Sequence, residues 1–471
     1  MTLASSERVT MFVPDFPFAY DDWLRHPAGL GTVPRHRHGT PVAVIGGGMS
    51  GMTAAYELMR LGLRPVVYEA EQLGGRMRSV PFPEYPASSL QDAIRRRDIP
   101  VLKAIWNQLV KEYDDQSFYG FLATSPAFAS FRHREIFGQV GFGTGGWDTD
   151  FPNSIIEILR VVCTAADDDQ MTIEGGAQQV PRGLWTLRPE RLAHWPAGTS
   201  LAGLHGGAPR PAAVGIRRDA EGYTVTDADG RRDRYPAVVF SPHVWALLNH
   251  VDSDPELLPA GLWSAVERTH YMGSSKVFVL TDRPFWLDTD SDTGRMAMGM
   301  TLTDRMPRSV YLFDSGPDQP GVMCLSYTWN DDSLKFATLS AEQRLELLLT
   351  KLGEIYPGVD IRSHLISAPL TITWETEPRF MGAFKANLPG HYRYQRRLFS
   401  HFMQHDLAPR HRGFFLCGDD ISWTGGFAEG AVTTALNAVW GVVNHLGGST
   451  DPENPGPGDV FHEIAPVRLP E

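Results

Sequence analysis

A short apolar strand running into a glycine-rich turn constrains this chain more than any other feature. Pro41-Val-Ala-Val-Ile45 leads into Gly46-Gly-Gly48-Met49-Ser50-Gly51, then a helical stretch, then Val66-Val-Tyr-Glu69. An apolar run of this length reads as a buried parallel strand. Gly46 permits the tight turn out of it, Gly48 lets the backbone approach a pyrophosphate, and Gly51 lets the next helix pack on the strand. The helix expected over Met52 to Leu61 would turn its free N–H groups and positive dipole end toward phosphates. Gly62 stops it, Leu63 to Tyr68 forms the second strand, and Glu69 stands where a carboxylate accepts bonds from ribose hydroxyls. A bare glycine pattern arises by chance in a chain with 46 glycines. The strand before it, the helix after it and the acid at the right distance make it a dinucleotide turn. Gly74-Gly75-Arg76-Met77-Arg78 follows, where two glycines again allow close approach and the arginines suit phosphate or a flavin edge. Near the other end runs Gly413-Phe-Phe-Leu-Cys-Gly418-Asp419-Asp420, continuing to Gly426-Phe427-Ala-Glu-Gly430-Ala431. The two segments together point to flavin adenine dinucleotide (FAD) rather than a nicotinamide cofactor.

Composition sets the outer bounds. A chain of 471 residues accommodates two or three domains. Its net charge of −12 argues against nucleic acid, which requires a basic face. The three cysteines, Cys163, Cys324 and Cys417, are scattered without metal spacing, and an odd count argues against a disulfide framework. No metal is expected. The first residues lack a signal peptide's apolar core and no apolar run approaches a membrane span, so a cytoplasmic protein without a membrane partner is expected.

The expected architecture is α/β: a Rossmann-like FAD-binding domain interleaved with a mixed-sheet substrate domain and a helical segment. Residues 1–38 form an aromatic and proline-rich arm. The FAD-binding domain takes 39–82, 170–265 and 405–450, because sequence from both chain ends completes it. Residues 83–169 read as helical, with helices over Leu90–Arg97, Val101–Tyr113 and Asn153–Cys163. Residues 266–404 form the substrate domain and 451–471 a turn-rich tail. Strands are expected at Tyr223–Thr226, Tyr235–Phe240, Lys276–Leu280, Ser309–Phe313, Val322–Tyr327 and Ile366–Trp374. An amphipathic helix is expected over Leu339–Ile355 and a final helix over Gly430–His445.

Longer stretches carry a resemblance. Pro14-Asp-Phe-Pro-Phe-Ala-Tyr-Asp-Asp-Trp-Leu24, Phe137 to Ser154, Tyr271-Met-Gly-Ser-Ser-Lys276, Ser326-Tyr-Thr-Trp329, Gly382-Ala-Phe-Lys385 and the Gly418-Asp419 segment are similar to the amino-acid branch of the flavin amine oxidases. Within that branch the chain most resembles the bacterial L-lysine 2-monooxygenase and L-amino-acid oxidase group. The resemblance implies that Gly46, Gly48, Met49, Ser50, Gly51, Glu69, Ala70, Gly75, Arg76, Gly418, Asp419, Gly430 and Ala431 hold FAD. It implies that Lys276 holds a water near the flavin and that Tyr327 lies beside the ring. It implies a substrate pocket of Asp150, Trp329, Phe384, Gly426 and Phe427, with Asp150 facing the distal amino group of lysine. Each has a plainer reading: Asp150 as a helix cap, Lys276 as a strand-end lysine, the aromatics as ordinary core. The implied reaction is oxidation of an L-amino acid by O2, in a homodimer. A cationic substrate is expected from Asp150, with aromatic amino acids, or an impaired FAD-binding remnant, as the alternatives.

The chain departs from the family pattern in one large respect. The family continues from Gly-Gly-Arg into a long segment containing Gly-Met-Arg-Phe-Pro, whose arginine forks onto the substrate carboxylate. Here Arg78-Ser-Val-Pro-Phe-Pro-Glu-Tyr-Pro-Ala87 runs almost directly into Leu90, and Met-Arg-Phe-Pro occurs nowhere. Arg379 is a speculative substitute, with a surface role as its plainer reading. Phe427 stands where lysine-acting relatives carry Trp, and Ala166 where one carries Cys, so the pocket is enlarged or softened.

Overall fold

The computed structural model describes residues 15, 18–70, 73, 98–128, 130–140, 152–164, 173 and 176–470. The Pro41–Ile45 strand is flanked by Arg64–Tyr68 on one side and Ala237–Phe240 on the other, and Phe414–Leu416 completes a four-stranded sheet whose pairs are all parallel. Parallel strands need both faces covered. Val42, Ala43, Val44 and Ala237 to Val239 are fully buried. At ~1.5–3 kcal/mol for each fully buried aliphatic side chain, this strand pair is a principal anchor of the unit. Helix Met49–Arg60 packs against both the sheet and the long C-terminal helix Ala428–His445. Sequence from the beginning, middle and end of the chain therefore meets in one sheet.

A second sheet in the same unit orders Arg232–Tyr235, Gly222–Asp227, Ala213–Asp219 and Asp252–Ser253. The continuous strand expected over Tyr235–Phe240 is two strands serving two sheets. Pro236, which has no N–H for a ladder, divides them.

The other sheet is five-stranded, in the order Thr301–Leu302, Ser309–Phe313, Gly321–Trp329, Ser274–Thr281 and Leu370–Thr373, with antiparallel pairing throughout. Val277, Val279 and Leu325 share a core with Leu348 and Leu352 of helix Ala341–Ile355. That helix starts two residues later than expected. Ser340 caps it and Gln343 reaches back to the Ser340 N–H, a complete capping box. The expected strand Ile366–Trp374 shortens to Leu370–Thr373.

Among the described residues, one compact unit takes those up to Asp114, Ile156–Thr269 and those from Lys385 onward; the other takes Asp115–Ile155 and His270–Phe384. The division differs from the expected boundaries. The helical segment 83–169 is not one body: helix Ile99–Tyr113 belongs with the parallel sheet, and so does Ile156 onward, while Asp115–Ile155 belongs with the antiparallel sheet. Residues 385–404 likewise leave the expected substrate domain. No helix among the described residues is long and apolar enough to cross a membrane.

Candidate active site

The glycine turn has the geometry of a phosphate cradle. Gly46 has φ of +94°, a conformation closed to most side chains. A Cβ on Gly51 would collide with the Gly46 carbonyl oxygen, so helix and strand meet backbone to backbone. A Cβ on Gly48 would meet nothing within 4 Å, leaving open space at the helix start. Gly48 is the N-cap of Met49–Arg60, and among the described residues no side chain caps that end. The uncapped N–H groups and the dipole of a 12-residue helix favour an anion in that space. Met49, Ser50 and Gly51 form the buried first turn. Glu69 closes the cradle from the end of the second strand, where its Oε2 accepts the Gly47 N–H at 2.5 Å. Ala70 is exposed beside it.

The C-terminal segment supplies a second, rigid element of the same unit. The Gly418 N–H donates to Thr434 Oγ1 at 3.0 Å, tying the loop to the long helix. The buried Asp419 accepts the Gly426 N–H on Oδ2 at 3.0 Å, and Asp420 accepts the Val244 N–H at 3.0 Å. Gly426 is exposed with φ of +86°. Phe427 is the half-buried N-cap of the final helix, which begins at Ala428, two residues before the expected start. Gly430 and Ala431 are buried in its first turn, and a Cβ on Gly430 would strike Ser422 and Thr424.

Beneath this loop lies a buried charge cluster that sequence reasoning missed. Arg160 has 1% of its side chain exposed. Its Nη2 reaches Asp15 Oδ2 at 2.5 Å and its Nη1 reaches Glu157 Oε1 at 2.7 Å. The guanidinium sits 5.4 Å from the ring centroids of both Trp106 and Trp423. Asp15 also accepts the Trp106 indole N–H. Asn387 donates to Glu157 at 3.0 Å, and the Lys385 ammonium stands 3.5 Å from the same carboxylate. Burial pushes the Glu157 carboxyl up, but Lys385 and Arg160 outweigh it and hold it below the ordinary value. The signal was present: Glu157 and Arg160 stand three apart in Ile-Ile-Glu-Ile-Leu-Arg-Val-Val, where an apolar helix has no other use for charges.

In the other unit, three predicted residues on the antiparallel sheet meet a fourth, Phe384, which lies outside that sheet. Tyr327 and Trp329, two apart on one strand, share a face. Lys276 pairs directly opposite Tyr327, with its ammonium 4.3 Å from the Tyr327 ring centroid. Tyr327 and Trp329 meet edge to face at 5.5 Å, and Trp329 and Phe384 do so at 5.8 Å. All four side chains are half-buried, whereas Ser326 and Thr328 on the opposite face are fully enclosed. Burial lowers the Lys276 pKa, partly countered by Cys324, whose own thiol burial pushes up to about 11. Arg379, the speculative carboxylate partner, is exposed. Asp150, Gly75, Arg76, Ala166 and the segment after Arg78 lie outside the described residues.

Comparison with known proteins follows the same lines. The model of the flavin containing amine oxidoreductase family matches residues 111–443, and that of an NAD(P)-binding Rossmann-like domain matches 44–109. The chain belongs to the flavin containing amine oxidoreductase family. FAD is the cofactor that membership implies, and the open Gly48 cradle, the uncapped helix and Glu69 fit it. The chain is similar to tryptophan 2-monooxygenase of Pseudomonas savastanoi (28% identity, covering 94% of this chain and 96% of the relative) and to that of Pantoea agglomerans pv. gypsophilae (31% identity, 73% and 62%). The first match runs over 560 aligned positions, more than the 471 residues here, so that relative carries segments with no counterpart in this chain. Among solved structures, a variant of putrescine oxidase covers 86% of the chain and 99% of its own length at 17% identity, with a TM-score of 0.62, a likeness of fold.

Proposed function

We propose that the protein is an FAD-dependent L-amino-acid 2-monooxygenase or oxidase whose substrate is an aromatic amino acid, tryptophan above all. The observation that carries this is the linked aromatic face of Tyr327, Trp329 and Phe384 beside Lys276. Three half-buried rings in edge-to-face contact form a wall for a flat apolar side chain rather than for a flexible cation. The relatives named above, both tryptophan 2-monooxygenases, favour the same substrate class. This replaces the cationic preference expected from Asp150, which no relative named above supports.

Held by the Gly46–Gly51 turn, Glu69 and the Gly418–Asp419 segment, FAD would supply the two-electron acceptor for oxidation of the Cα–H bond, with O2 as the final oxidant. The protein's own groups bind and orient. The rings hold the substrate side chain and exclude water from it. Lys276, whose charge burial disfavours, is suited to hold or release a proton close to Tyr327. When the imino acid stays bound, one amino acid and one O2 yield the amide, CO2 and water. When it escapes, water completes the reaction to the keto acid, ammonia and hydrogen peroxide.

The test is anaerobic mixing of the purified holoprotein with L-tryptophan, L-phenylalanine and L-lysine in turn, watching the flavin bleach, followed by product analysis in air. Aromatic amino acids should reduce the flavin, with the amide or the keto acid as product. Bleaching by lysine alone would return the substrate to the cationic class. No bleaching by any amino acid would indicate an FAD-binding remnant.

A further inference from the structure

Lys385, which the proposed chemistry does not use, has unusual surroundings. None of its side chain is exposed. Its ammonium carries three donors and makes no hydrogen bond among the described residues; the single ion pair, to Glu157 Oε2, is long at 3.5 Å. Glu157 spends its other oxygen on Arg160 and Asn387. A buried ammonium left this way costs free energy unless the field around it compensates.

The side chain runs directly under the loop described above. A Cβ on Gly425 would collide with the Lys385 carbonyl and stand 3.1 Å from its Cε, so only glycine lets the loop lie against the lysine. The next residue, Gly426, is the one whose N–H the buried Asp419 holds. Asp419 and Asp420 both act electrostatically on the ammonium, as does Glu157.

We infer that Lys385 is a positioning residue of the FAD site: its fully buried side chain supports the Gly418–Phe427 loop from beneath at Gly425, and its ammonium supplies positive charge to the site that this loop would form. A cation placed there favours the extra negative charge that the ring system gains on reduction. The inference rests on the flavin assignment and is independent of which amino acid is the substrate.

The experiment uses the full chain and needs no substrate. K385M and the charge-balanced E157Q/K385M are stripped of flavin, titrated with FAD by fluorescence, and their bound flavin is equilibrated with a reference dye to obtain the midpoint potential. K385M should bind FAD more weakly by about ten-fold or more, the scale of one charge-assisted contact, and its potential should move to more negative values. The double variant removes Glu157's unpaired charge, so it keeps both defects only if Lys385 acts on the loop. A double variant with the wild-type potential and FAD affinity would overturn the inference, reducing Lys385 to a counterion for Glu157, and it decides the matter even where K385M alone fails to fold. A wild-type protein that takes up no FAD would instead sink the flavin assignment itself.

Discussion

Two neighbouring glycines should respond to substitution in opposite ways. Gly48 caps the Met49–Arg60 helix in extended backbone (φ −77°, ψ −168°), and a Cβ there meets no atom of the described residues within 4 Å. Serine is a better N-cap than glycine by a few tenths of a kcal/mol. G48S apoprotein should therefore be as stable as the wild type or slightly more so. The serine oxygen, however, would fill the open space and engage the N–H groups meant for the pyrophosphate. Losing one charge-assisted hydrogen bond, worth about 1.5–3 kcal/mol, weakens FAD binding by about 10- to 150-fold. Gly51 is the reverse case. An alanine Cβ would press on the Gly46 backbone oxygen, which cannot rotate away, so G51A should lose about 1–3 kcal/mol of stability as well as FAD affinity. Thermal melts of the apoproteins and fluorescence titration with FAD separate the two outcomes. A G48S protein with wild-type FAD affinity, or one that melts far below the wild type, would refute the cradle.

Other consequences are testable in the same way. W329A removes the middle ring of the aromatic face; at ~0.5–1.5 kcal/mol per aromatic contact, KM for an aromatic substrate should rise about 2- to 10-fold while flavin content stays constant. D15A removes one of the two carboxylates that pair with Arg160 in a buried site and should destabilise the fold by about 3 kcal/mol, read from urea unfolding. His401 is buried against the Phe414 carbonyl, and burial lowers its pKa from 6.5 to about 4. As pH falls from 6.5 toward 4, the unfolded chain takes a proton that the folded chain refuses. Stability should drop by about 3 kcal/mol across that window from this group and level off below it. H401Q should remove that part of the slope; an unchanged pH profile in the variant would contradict the assignment.

The sequence made the nucleotide turn legible because each of its requirements is local: an apolar strand, glycines where backbone must bend or touch, and an acid at fixed spacing. The two strands that carry Lys276, Tyr327 and Trp329 were legible as apolar runs, and the antiparallel register places Lys276 opposite Tyr327. What stayed hidden depends on distant partners. Asp15, Glu157, Arg160 and Lys385 come from three separate stretches of the chain, and nothing local says that they meet. The break at Pro236 was visible in principle, since a proline between two apolar runs cannot sit in one continuous ladder. The proposed aromatic preference departs from the expected cationic one, which rested on the single residue Asp150; the joint geometry of the three rings is displayed only by the fold.

The central claim is that a tightly held flavin oxidises an aromatic amino acid. Its most direct test is the visible absorption of the freshly purified protein before and after anaerobic addition of L-tryptophan. The account predicts a yellow protein whose flavin band bleaches on addition and returns in air with formation of the amide or the keto acid. A colourless protein that takes up no added FAD, or a yellow one that tryptophan and phenylalanine leave oxidised, would contradict it.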